Sequence, residues 1–243
     1  MLEAFGWGAL GASSLLVGAL IGLAFDVPEK VVGLILAFGA GTLISAVAFE
    51  LTEEAYQLGG ADTVALGLGL GALAYFAGNV LVERGGGGGR MSPEGPAGGE
   101  DASSRALMLG AILDGIPESA VIGISLLGGG GVGVPVLAAV FLSNMPESLG
   151  SASACRDGSR SRGSVIATWS AVVLVSALAA ALGYALLDGA SGDAIGLLQS
   201  FAAGAVLTML ADTMFPEAFN HGGPAAGLLT TLGFAVAYLL STL

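Results

Sequence analysis

Two short polar interruptions carry the chemistry open to this chain. The apolar stretch AILDGIPESAVIGISLL (111–127) holds Asp114, Pro117 and Glu118 near its middle, and LSNMPES (142–148) holds Ser143, Asn144, Pro146 and Glu147. Asp114 and Glu118 are four apart, so a helix puts them on one face; Ser143 and Glu147 repeat that spacing, and Asn144 joins their face. Proline has no N–H, so Pro117 and Pro146 deprive the carbonyls of Leu113 and Leu142 of their helical donors, and a kink is expected at each. Carboxylate, amide, hydroxyl and carbonyl oxygens at one level are the donors that hold a divalent cation or relay protons. Met145 is read as a packing residue.

The surroundings sharpen the choice. Of 243 residues, 54% are hydrophobic and 11% charged, with mean hydropathy +0.86; a soluble domain carries about a quarter charged residues. Long apolar stretches rich in glycine mark a polytopic membrane protein. An acid at mid-membrane costs about 2.5 to 3.5 kcal/mol, so Asp114, Glu118 and Glu147 together cost roughly 8 to 10 before compensation. The seven Lys and Arg all sit in loops or at span ends. Compensation must therefore come from protons or a bound cation. The net charge of −12 disfavours nucleic-acid binding, and one cysteine, Cys155, excludes an internal disulfide or a cysteine metal cluster. Cys155 is read as a small packing residue. No nucleophile and base pair, nucleotide loop or cofactor motif stands out, so no enzyme or prosthetic group is expected.

Runs long enough to cross about 30 Å of hydrocarbon fall at 4–25, 31–53, 63–82, 105–127, 132–154, 164–187, 193–218 and 223–242. The expected fold is all-α, one transmembrane domain of eight helices. The first run has no basic residue before it and is read as a span rather than a cleaved signal. Turn formers such as DVPEK, LGGAD, DGASGD and NHGGP join most spans. The one long connection, 83–104, is glycine-rich and reads as a flexible linker. Lys30, Arg84, Arg90, Arg105, Arg156, Arg160 and Arg162 all fall in or beside connections on one side, which the positive-inside rule makes cytoplasmic; both termini are then external and the protein spans the cell membrane.

An internal echo supports this topology. FGAGTLISAVAFELTEEA (38–55) matches FAAGAVLTMLADTMFPEA (201–218) at Phe38/Phe201, Ala40/Ala203, Gly41/Gly204, Ala48/Ala211, Glu54/Glu217 and Ala55/Ala218, all 163 residues apart. The two stretches run in opposite senses across the membrane, so spans 1–3 and 6–8 are expected to form an inverted repeat around spans 4 and 5, as in many secondary transporters. Glu50, Glu53 and Glu54 end the second span on the outer side. Solvated acids are ordinary there, and Glu50 is the candidate for a cation's way in. Asp212, about a turn and a half inside the seventh span, is the candidate for the way out. His221 is expected in the connection between spans 7 and 8, and Asn79 at the interfacial end of span 3.

These features together resemble the ZIP family of zinc and iron transporters: eight spans, external termini, a long cytoplasmic loop after the third, and Pro-Glu motifs on the fourth and fifth. The resemblance covers nearly the whole chain, with 38–55 similar to the family's second helix and 201–223 to its seventh. It implies a metal site built by spans 4 and 5 and transport of divalent cations into the cytosol. The family's fourth-helix pattern is His-Asn-x-Pro-Glu-Gly; here Asp114 stands for the histidine, Gly115 for the asparagine and Ser119 for the final glycine. The fifth reads Ser143-Asn144-Met145-Pro146-Glu147, so the two glutamates match and the imidazoles do not. All-oxygen donors lean away from zinc towards Mn²⁺, Fe²⁺ or a broad divalent range. Gly115 offers no side-chain ligand and span 6 has no acid, so one principal metal position is expected.

The reading is a membrane transporter whose substrate, Zn²⁺, Fe²⁺ or Mn²⁺, binds Asp114, Glu118, Ser143, Asn144 and Glu147. The direction of transport comes from the resemblance. Its rivals are a proton-coupled carrier of a small organic solute and a non-transporting membrane assembly subunit. Metal ion and lipid are the expected partners, and the oligomeric state is open, a homodimer among the candidates.

Overall fold

A computed structural model describes residues 1–82, 84, 100–128, 133–154 and 161–242, with 100–110, 151 and 154 described by their backbone alone. Among the described residues all regular structure is helical: α1 (Leu2–Ala24), α2 (Glu29–Ser45), α3 (Glu53–Val82), α4 (Glu100–Ser125), α5 (Val134–Ala154), α6 (Arg162–Leu187), α7 (Gly192–Met209), α8 (Phe215–Gly222) and α9 (Ala225–Ser241). A π-helical segment, Ala46–Thr52, joins α2 to α3, and another, Leu210–Met214, joins α7 to α8. Among the described residues, four continuous stretches are long and apolar enough to cross a membrane: Leu2–Ala24, Glu29–Val82, Arg162–Leu187 and Gly192–Gly222. The protein is membrane-embedded.

Glu29–Val82 is too long for one crossing. At 1.5 Å per residue, its 54 residues would extend about 80 Å. The chain instead breaks at Gly60, whose φ of 75° is open to glycine and strained for other residues. Ala55 and Gly67 flank that break and would be about 18 Å apart on a straight helix. Both lie against one turn of α7, at Gly196 and Leu197, so the chain folds back. The LGGAD turn is therefore real, although hydrogen-bonded helix runs almost up to it from both sides.

Two boundaries differ from the sequence reading. α4 starts at Glu100 rather than 105, so the last five residues of the expected linker are helical. Apart from residue 84, the rest of that linker with Arg90, and Cys155, Arg156 and Arg160, lie outside the described residues. α8 carries the seventh span on to Gly222, because the left-handed turn is made by Gly223 (φ 64°) rather than by its neighbour. His221 is consequently in a helix, with Nδ1 3.5 Å from Glu29 Oε2. α4 and α5 also run through Pro117 and Pro146 as continuous helices.

Small residues set the packing. α1 lies against α5 and α6, α2 against α9, α5 and α8, α3 against α7, and α4 against α6. Gly71 of α3 faces the carbonyl of Phe201, and Gly233 of α9 faces that of Phe38; Gly41 meets Thr230 O and Gly204 meets Leu68 O. Helices approach this closely only where one has no Cβ. Outward, Leu174, Leu178, Leu182 and Leu186 form an exposed stripe along α6, four residues apart as a lipid-facing helix surface requires.

Glycines on one helix therefore differ in consequence. A Cβ at Gly71 would collide with the Phe201 carbonyl, whereas Gly69 has open space. Gly71→Ala should destabilise the detergent-solubilised protein by about 1 to 3 kcal/mol, and Gly69→Ala should be neutral or raise stability by up to about 1 kcal/mol. Equal effects in a thermal unfolding assay would refute the α3–α7 packing.

Candidate functional site

α4 and α5 hold the motif residues deep in the bundle. Glu118 is 2% exposed, Ser143 is fully buried, Asn144 and Asp114 are buried, and Glu147 is half-buried. The apolar neighbours that exclude water are Val121 and Ile122 on α4 and Val140 and Leu149 on α5. Each helix presents a polar patch on one face because the spacing of four returns the chain to that face.

The two helices meet through Ser143 and Glu118. The Ser143 hydroxyl lies 3.4 Å from both Glu118 oxygens and 3.0 Å from the carbonyl of Val140 in its own helix. The contact to the carboxylate is long and shared, hence weak. Asp114 is held more firmly and from elsewhere: the hydroxyl of Tyr75, on α3, donates to its Oδ1 at 2.6 Å, a short bond. Tyr75 is 2% exposed. Asn79 follows it by four residues and is also buried.

The structure thus assembles the predicted residues in part. Asp114, Glu118, Ser143 and Asn144 are buried in one region, and Glu118 and Ser143 touch. Among the described residues, however, no three His, Cys, Asp or Glu side chains are gathered closely enough to hold a metal ion. The expected convergence of Asp114, Glu118 and Glu147 on one point is therefore not seen. The physical reason is visible in the partners: Asp114 is drawn towards α3 and Glu118 towards α5, while α4 and α5 lie mainly against α6 and α1 rather than against each other.

The two path candidates share an unexpected setting. Glu50 is half-buried within the π-helical segment Ala46–Thr52, and Asp212 is exposed within Leu210–Met214. Near Glu50, Gln199 of α7 is 2% exposed and donates through Nε2 to Glu54 Oε2 at 2.9 Å. Glu54, read as merely solvated, therefore ties the end of the second span to the seventh. The Oε1 atom of Gln199 is buried with no hydrogen-bond partner among the described residues.

Sequence reasoning missed Tyr75 and Gln199. Each is a polar tip in an otherwise apolar helix, a signal that buried phenols and amides need partners but one that names no partner. Compared with protein-family models and with curated proteins, the chain matches none.

Gln199 gives a direct check of this polar accounting. Gln199→Leu removes the orphaned oxygen and returns Glu54, which is exposed, to water. Stability should stay within about 1 kcal/mol of wild type or rise; a fall beyond about 3 kcal/mol in chemical denaturation would show that the amide is worth more than its one observed bond.

Proposed function

We propose that this protein is a transporter of divalent metal ions of the ZIP type, moving Mn²⁺, Fe²⁺ or Zn²⁺ into the cytosol through a carboxylate site on α4 and α5. The observation that carries the reading is the burial of Glu118 beside Asp114, Ser143 and Asn144, in a sequence that puts no Lys or Arg inside its apolar runs. Such acids are expensive in hydrocarbon and mark ion paths. An arriving dication would offset their charge and gather oxygen ligands now directed to separate partners.

The proposed topology is eight spans with an inverted repeat, both termini external. Three features support it. The π-helical segments fall in the two stretches that match at a spacing of 163 residues. The matched Phe38 and Phe201 each present a carbonyl to a glycine, Gly233 and Gly71, and the matched Gly41 and Gly204 each meet a main-chain carbonyl in turn. Exchanging spans 1, 2, 3 and 4 with 6, 7, 8 and 5 also maps the α2–α9 contact onto α3–α7, and α1–α5 onto α4–α6. In such an architecture each half offers one face of the site, and rocking exposes it alternately. Glu50 then lies on the outer approach and Asp212 on the inner one, each in a π-helical segment, a form that recurs at functional positions.

The lack of a three-acid cluster among the described residues favours, as a second reading, a carrier that moves protons with a small organic solute. Reconstitution separates the two. Proteoliposomes holding the wild-type protein should take up Mn²⁺ or Fe²⁺, with Zn²⁺ competing, and Glu118→Ala combined with Glu147→Ala should abolish uptake. Proton movement driven by a solute, with no metal flux, would overturn the metal reading.

A further inference from the structure

We propose that Tyr75 is a positioning and selectivity residue of the cation site, acting through Asp114; this rests on the reading of Asp114 as a ligand. Tyr75 comes from α3, outside both Pro-Glu motifs, and it reaches Asp114 across 39 residues of sequence. The approach is close because α3 has no side chain at Gly78, where a Cβ would come within 2.8 Å of Leu113 Cδ1, the neighbour of Asp114. The phenol is buried and rigid, with only two side-chain torsions, so its hydroxyl fixes the carboxyl in place.

The consequence lies in how freely Asp114 can turn its oxygens. The Tyr75 hydroxyl engages Oδ1 at 2.6 Å, so it takes one of that oxygen's lone pairs and fixes the plane in which the carboxyl meets an ion. Ca²⁺ favours six to eight oxygens at about 2.3 to 2.6 Å in a flexible shell, whereas smaller dications need fewer ligands in stricter geometry. A carboxyl held in one plane therefore suits the smaller ion better than Ca²⁺. Glu118, held by Ser143 at 3.4 Å from both oxygens, is the adjustable partner. Asp114 supplies the fixed edge of the site, and Tyr75 sets it. Hydrogen-bond donors behind a metal ligand typically contribute 10- to 100-fold in affinity.

The test is calorimetric binding of MnCl₂ to the purified full chain, with CaCl₂ as competitor, for wild type, Tyr75→Phe, Asp114→Asn and the double variant. Tyr75→Phe should weaken Mn²⁺ binding about 10-fold or more and narrow the Mn²⁺ to Ca²⁺ preference; in the Asp114→Asn background it should change nothing further. Should Tyr75→Phe not fold, Tyr75→Met, which also removes the hydroxyl, must shift the same ratio. An unchanged affinity and ratio in the variant tested overturns the role of Tyr75 alone. A wild-type protein that binds neither ion, or an Asp114→Asn variant that binds as wild type does, overturns the ligand reading beneath it.

Discussion

The constraint on which everything else depends is the burial of carboxylates in an apolar bundle. Glu118, at 2% exposure, and the buried Asp114 lie on helices whose remaining residues are mostly aliphatic or small. Desolvating such groups without pairing is among the most costly things a fold can do. The hydroxyls of Tyr75 and Ser143 meet part of that demand. The rest of the molecule is a frame that keeps these groups from bulk water.

The frame is made of close helix pairs rather than large side chains. Glycine and alanine allow α2 and α9, α3 and α7, and α1 and α5 to approach until backbone meets backbone. Lipid gives helices no hydrophobic reason to associate, so contact of this kind and its dispersion energy hold the bundle together. Ala40 and Ala203, both fully buried, belong to this packing. Tight pairs joined by looser seams suit relative motion, because motion can occur at the seams while each pair stays intact. The seam between α4 and α5, bridged by the long Ser143–Glu118 contact, is one such place.

Much of this was legible in the sequence, because periodicity and charge follow directly from lipid. The helical class, the turn at Gly60 and the polar faces of Asp114–Glu118 and Ser143–Glu147 all come from apolar runs and spacings of four. Other features left weaker traces. An i→i+5 hydrogen bond has no residue signature, so the segments holding Glu50 and Asp212 read as ordinary helix. NHGGP announces a turn but does not say which glycine makes it, so His221 was assigned to a loop when it belongs to a helix and faces Glu29. Tyr75 is one phenol among apolar neighbours; only the three-dimensional approach of α3 to α4 at Gly78 turns it into the partner of Asp114.

The central claim is that the acids of α4 and α5 form a cation site, and anomalous scattering from crystals of the protein grown with Mn²⁺ tests it most directly. The expected result is a single strong peak between α4 and α5, with oxygens of Glu118 and Glu147 at about 2.0 to 2.6 Å and Asp114 beside them. No peak there at saturating Mn²⁺, or peaks confined to Glu50 or Asp212, would contradict it.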